Sequence, residues 1–191
     1  MRAHPGSFRG PDLIKRGKGI MKVKDVKLGQ GLVVRPSTAS DKAFLEQLHN
    51  STREDLRLID GERDFVESII DMQFKAQQQG YGAQFPNAMY FVIEKQHERI
   101  GKVTIDFGHN EVHVIDIAFI PQARGKGFGE EVIRSLQAAA AQICAPLTLS
   151  VLMQNVAAKK LYLKLGFVTE SILPPYERMM WRPEIVQRVM V

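Results

Sequence analysis

Eight consecutive residues, Gln122-Ala123-Arg124-Gly125-Lys126-Gly127-Phe128-Gly129, have the types and spacing to hold an anion. Three glycines let the backbone come close to a ligand. The run before them, Val112 to Ile120, is apolar and β-branched and is stopped by Pro121, so it reads as a strand. The run after them, Glu130 to Ile143, has helical periodicity, with Phe128, Val132, Ile133, Leu136, Ala140 and Ile143 on one stripe. A strand, a glycine turn and a helix N-terminus together present unpartnered N–H groups and the positive end of a helix dipole. A phosphate group suits such a place. A Walker A loop would need Gly-Lys followed by Ser or Thr, but Gly127 follows Gly125-Lys126. A dinucleotide fingerprint would need G-x-G-x-x-G and an acid about 20 residues on. The glycines have the wrong spacing for it, and no acid lies between Leu147 and Met153. A turn that merely starts a helix uses the same residue types.

A second group lies downstream. Leu147 to Leu152 reads as a short strand, and Asn155 stands where a helix begins, in the role of an N-cap. The helix from Val156 to Leu165 ends at Gly166, and Phe167 follows. Asn155, Ala158 and Tyr162 are spaced i, i+3 and i+7 and share one face.

With both groups in this order, the chain resembles the GCN5-related N-acetyltransferases, most closely bacterial members. That family carries Q/R-x-x-G-x-G/A after its fourth strand, matched by Gln122 to Gly127, and later Asn, Ala, Tyr and Gly-Phe, matched by Asn155, Ala158, Tyr162 and Gly166-Phe167. The likeness is specific from Glu111 to Phe167 and weaker from Leu32 to Trp181. The runs Met72-Gln73-Phe74 and Gln84-Phe85-Pro86 add to the bacterial likeness. The resemblance implies a mixed α/β fold: a central, mostly antiparallel sheet, splayed at the cofactor strand and flanked by helices.

It also implies acetyl-CoA as co-substrate. The pyrophosphate would lie on the amides of Arg124, Gly125, Lys126, Gly127, Phe128 and Gly129. The pantetheine arm would pair with the backbone of Ile117, Ala118 and Phe119, beside a bulge that leaves backbone groups free. An N–H near Phe119 could polarise the thioester carbonyl. Asn155 would bond the pantetheine arm, or serve as a cap, or both. An amine would attack the thioester directly in a ternary complex, with Tyr162 as general acid to the CoA thiolate. The amine must first lose a proton, since an alkylammonium has a pKa near 10. Asp116 leads the candidate bases, ahead of His113, Glu111 and a water chain. Asp116 could instead orient the acceptor, and Tyr162 could merely position the sulfur. An acyl-CoA sensor of the same fold, without turnover, is the reading from another class. Cys144 is an unsuitable nucleophile, since it lies at the far end of its helix from the glycine loop, with no histidine near it in sequence. Lys159, Lys160 and Lys164 read as a solvated face. No metal is expected.

These groups need a scaffold. The order of elements is a strand (Gly31–Arg35), two helices, three strands, helix, strand, helix and final strand (Tyr176–Trp181). The first helix is capped at Thr38 or Ser40 and buries Ala43, Phe44 and Leu48; the second runs from Arg63 to Gln79. Gly80-Tyr81-Gly82 and Ser171 to Pro175 read as loops. Tyr81, Phe85 and Tyr176 are candidate acceptor walls. Asp55, Asp60, Glu62 and Asp64 are interleaved with Arg53, Arg57 and Arg63, so no clear field emerges. The resemblance implies a small-molecule amine or a protein amine as the acceptor.

The chain of 191 residues, 45% of them hydrophobic, suits one domain. It divides into a basic extension expected to be disordered (1–30), the acetyltransferase-like body (31–183) and a tail (184–191). Residues 1–30 hold eight basic and two acidic side chains, so the net +5 of the chain leaves the rest at −1. A nearly neutral body argues against nucleic-acid binding by it. The extension lacks the apolar stretch of a secretory signal. A lone cysteine excludes an internal disulfide and suits a reducing cytoplasm. No apolar run would span a bilayer. A monomer or homodimer is expected.

Overall fold

The computed structural model describes residues 25–52, 85 and 87–184. The expected helix from Arg63 to Gln79, Tyr81 and its loop, and residues 1–24 and 185–191 lie outside the described residues. Among the described residues eight strands form one sheet: β1 (Val26–Lys27), β2 (Leu32–Pro36), β3 (Ala88–Lys95), β4 (Glu98–Phe107), β5 (Val112–Phe119), β6 (Leu147–Leu152), β7 (Val168–Leu173) and β8 (Tyr176–Trp181). Their spatial order is β1-β2-β3-β4-β5-β6-β8-β7. Every neighbouring pair is antiparallel except β5 with β6. Among the described residues the helices are α1 (Lys42–Thr52), α2 (Phe128–Gln142) and α3 (Val156–Lys164). This is the mixed, mostly antiparallel α/β architecture expected from the sequence.

Local chemistry accounts for the elements. Gln96 and His97 both take left-handed conformations, with φ of 51° and 68°, and close the β3–β4 hairpin with the twist its strands need. The parallel β5–β6 pair requires a crossover, which α2 supplies. Thr38 and Asp41 form a capping box ahead of α1. Asp41 is out of contact with solvent and holds Arg35 of β2 and Arg99 of β4 at 2.8 and 2.9 Å.

Alternation along the strands separates two faces. Met89, Phe91, Ile93, Val103, Ile105, Val112 and Val114 join Phe128, Val132, Ile133 and Ala140 of α2, and Tyr162, Leu165 and Phe167, in the core. The opposite face carries Lys102, Thr104, Asp106 and His113, and α1 packs over β4 and β5 there. A bulge at Ile115 divides β5: Thr104 pairs with Asp116, but Ile105 pairs with Val114. One inserted residue reverses the facing of everything beyond it. Ile117 and Phe119 therefore join the core side, and Asp116 is turned to the polar side.

Four expectations need correcting. Residues 25–30, assigned to the basic extension, include β1 and a 3-10 turn at Gly29–Gly31, because β1 pairs with β2 and Gly29 N–H donates to Glu131 at 2.9 Å. Ile143 is exposed, since α2 ends at Gln142. In α1 the buried residues are Leu45, Leu48 and His49, while Ala43 is exposed and Phe44 half-buried, because Asp41 and the capping turn set the helix phase. Ser171 to Leu173 belong to β7, an edge strand exposed along its whole length, so no buried alternation announced it.

Candidate functional site

The site forms where β5 and β6 part. They pair only through Val112–Val114 and Leu147–Leu149. Beyond Val114, β5 continues on β4 while β6 continues on β8. Ile120 N–H donates to Ile100 O at 2.9 Å. Antiparallel bonding alternates, so the N–H and C=O groups of Ile117 and Phe119 point away from β4 into the gap. Gly101 makes the strand end possible, since a Cβ there would lie 2.6 Å from Ala118 O.

The chain then turns through Pro121–Ala123 and Arg124 into the glycine loop. Gly125 and Gly127 have φ of 69° and 82°, a region that disfavours side chains. Gly127 is the N-cap of α2, so the first free amides of a fifteen-residue helix open beside the gap. Lys126 is exposed, whereas the Phe128 ring is buried, which leaves only its backbone for a ligand.

Helix α3 closes the other side. Asn155 caps it, its Oδ1 accepting from Ala158 N–H at 3.2 Å. Tyr162 faces inward, 8% exposed, with its ring 5.6 Å from that of Phe167. Burial, and then the charge of Asp116, push the Tyr162 phenol above its ordinary value of 10.0. The hydroxyl therefore keeps its proton at neutral pH.

These elements enclose a cleft of about 370 Å³. Of the residues singled out in the sequence, Ile117, Ala118, Phe119, Arg124, Gly129, Asn155, Ala158 and Tyr162 line it together. Thr52, Ile133 and Leu161 also line it, and the sequence reading missed them as site residues. Leu161 and Ile133 sit in ordinary apolar helix patterns, so nothing marked them out.

Asp116 does not line the cleft; it lies on the polar face, paired with Lys102 at 2.7 Å. Lys102 is 7% exposed and was also missed, although a lysine within Ile100-Gly101-Lys102-Val103-Thr104 was a visible signal. His113 is buried on the same face, stacked on Phe85 at 5.4 Å between centroids, with Nδ1 2.8 Å from Thr148 Oγ1. Burial, then Arg178, lower its pKa, so the imidazole is neutral at pH 7. Glu111 is paired with Arg178 at 2.6 Å. Cys144 is exposed just beyond the far end of α2. Lys159 and Lys164 are paired with Glu177 and Glu130. Among the described residues no helix is long and apolar enough to cross a membrane.

Comparison with known proteins places this chain among the acetyltransferases. Residues 45–167 match the acetyltransferase (GNAT) family. An N-acetyltransferase of Methanocaldococcus jannaschii, itself described as uncharacterised, is 29% identical over 101 residues, which span 51% of this chain and 63% of that relative. PaiA N-acetyltransferase from Thermoplasma acidophilum, solved with coenzyme A, superposes with a TM-score of 0.62 at 14% identity, over 80% of this chain and 99% of that one. A variant of spermidine N-acetyltransferase SpeG from Vibrio cholerae superposes with a TM-score of 0.55 at 23% identity, over 81% and 95%.

Proposed function

Because the chain belongs to the GNAT family of acetyltransferases, we propose that it moves the acetyl group of acetyl-CoA to an amine by direct attack in a ternary complex. The observation that carries this reading is the gap between β5 and β6. It exposes the backbone of Ile117 and Phe119 between a glycine loop and a buried tyrosine. The pantetheine arm pairs with that backbone, and the pyrophosphate sits on the amides of Arg124 to Gly129, where the α2 dipole favours it. Asn155 holds the arm from the opposite wall.

The amine nitrogen attacks the thioester carbon, and the Phe119 N–H stabilises the developing oxyanion. Before the attack the acceptor ammonium gives one proton to Asp116, whose carboxylate Lys102 holds in place, and as the amide forms the nitrogen loses its second proton to solvent, from which Tyr162 is later reprotonated. As the C–S bond breaks, Tyr162 gives its proton to sulfur. A phenol above 10 is a weaker acid than a thiol near 8.5, so the transfer accompanies bond cleavage rather than preceding it. The acceptor is a small-molecule amine or a protein amine, met on the α1 side, and the reaction is cytoplasmic.

Calorimetric titration with acetyl-CoA, with ATP and NADH as controls, tests the cofactor. Selective binding in the micromolar range, about −8 kcal/mol, is expected. Absence of acetyl-CoA binding would remove the foundation of the reading. Binding without release of CoA on a panel of amines would instead make the protein an acyl-CoA sensor.

A further inference from the structure

Arg124 makes two contacts that a backbone anion site does not require. Its Nε donates to Phe119 O at 3.0 Å, and its Nη2 donates to Ser51 O at 3.4 Å. The first acceptor is one of the cleft-facing groups of β5. The second is a backbone carbonyl of α1. The guanidinium thus covers strand backbone inside the cleft and ties it to the neighbouring helix, one residue before the glycine loop begins.

We propose that Arg124 makes the cleft selective for thioesters that carry phosphate. In the free protein its guanidinium masks the Phe119 carbonyl, and a phosphate at the glycine loop draws it away. This inference rests on the acetyl-CoA reading given above. A guanidinium bond to a phosphate adds ion–ion attraction and a bidentate geometry that a neutral carbonyl does not offer. A phosphate-bearing ligand therefore repays the two contacts it breaks. A ligand with the same acyl-pantetheine arm and no phosphate must break them and returns nothing. Specificity here comes from a penalty placed on the wrong ligand as well as from attraction to the right one.

The test compares acetyl-CoA with S-acetylpantetheine, which shares the arm and lacks every phosphate. Arg124→Met keeps the aliphatic stem and removes the donors. Arg124 is exposed, and a melting curve checks that the variant folds. Affinities are read from backbone amide shifts in NMR titrations, which also reach weak binding. Opposite signs are expected: acetyl-CoA weaker by about tenfold, and S-acetylpantetheine tighter by about threefold. Arg124→Lys keeps the charge but cannot span two carbonyls, so it should recover acetyl-CoA affinity while the phosphate-free ligand still binds as in Arg124→Met. Changes of the same sign for both ligands would overturn the inference. So would unchanged S-acetylpantetheine affinity beside weakened acetyl-CoA, which would make Arg124 a plain phosphate ligand. Wild-type protein that binds neither compound would remove the acetyl-CoA reading itself, an outcome separable from the others.

Discussion

Tyr162 concentrates the chemistry at the scale of single residues. Burial holds its phenol protonated, and Asp116 reinforces this from the polar face. Tyr162→Phe removes one oxygen and keeps the ring against Phe167. We expect turnover on a verified acceptor to fall by about a hundredfold, the lower range for loss of a general acid. Acetyl-CoA affinity should stay nearly unchanged, since the ring still fills the cleft wall. Equal turnover in the two proteins would take Tyr162 out of the proton transfer. The sequence made Tyr162 and Asn155 legible, because the residue types and their i, i+7 spacing sit on a helix with a clear cap and a clear stop. The Lys102–Asp116 pair was not legible. It depends on two strands being laid side by side in one register, and no local pattern encodes that.

At the scale of elements, the bulge in β5 and the glycine in β4 act together. Ile115 turns Asp116 off the core face, and Gly101 lets the end of β5 close onto its partner. Gly101→Ala would set a methyl 2.6 Å from Ala118 O and 2.7 Å from the Phe119 ring, and a backbone atom cannot step aside cheaply. A loss of about 2 kcal/mol in stability is expected, typical of overpacking. Weaker acetyl-CoA binding should accompany it, because the displaced strand end is the cleft floor. A denaturant melt and a titration on the same sample check both; full stability with full affinity would mean β4 and β5 tolerate the methyl. A glycine inside an apolar strand hints at close approach. The helix phase of α1 was hidden, because a buried aspartate rather than an apolar stripe sets it.

At the scale of the whole molecule, Asp41 joins α1 to β2 and β4 through Arg35 and Arg99. Hydrogen bonds from Arg35 hold its carboxyl far below the ordinary 3.8. A lowered folded-state pKa gives stability that is complete above the unfolded value and drains away as the pH falls below it. Asp41→Asn should therefore cost about 3 kcal/mol at pH 7, where it leaves two arginines facing a lost charge. The cost should shrink as the pH falls below about 4, where the carboxyl of the unfolded wild-type chain takes up its proton while the folded one is still ionised. Melting curves from pH 7 to pH 2 read the difference, and a gap that stays constant over that range would dissociate Asp41 from acid unfolding. Fold class and the chain order of the inner strands were readable at this scale because Gly108, Pro121, Gly166 and the Asn155 cap mark element ends, whereas β1, two residues long, was not. The edge strand β7 escaped, having no buried side to betray it.

The short β5–β6 contact also has a mechanical meaning. Among the described residues, three residue pairs form the strand pairing between the five strands on one side of the sheet and the three on the other. Elsewhere the two sides are fastened by side chains, such as the Gln137 bond from α2 to the Leu165 carbonyl. Among the joints between the inner strands this one is the shortest, so load between the two sides falls on it. A ligand laid between Phe119 and Asn155 works as a splice: it lengthens the joint at its weakest point, so the bound protein resists being pulled apart along a direction in which the free protein yields.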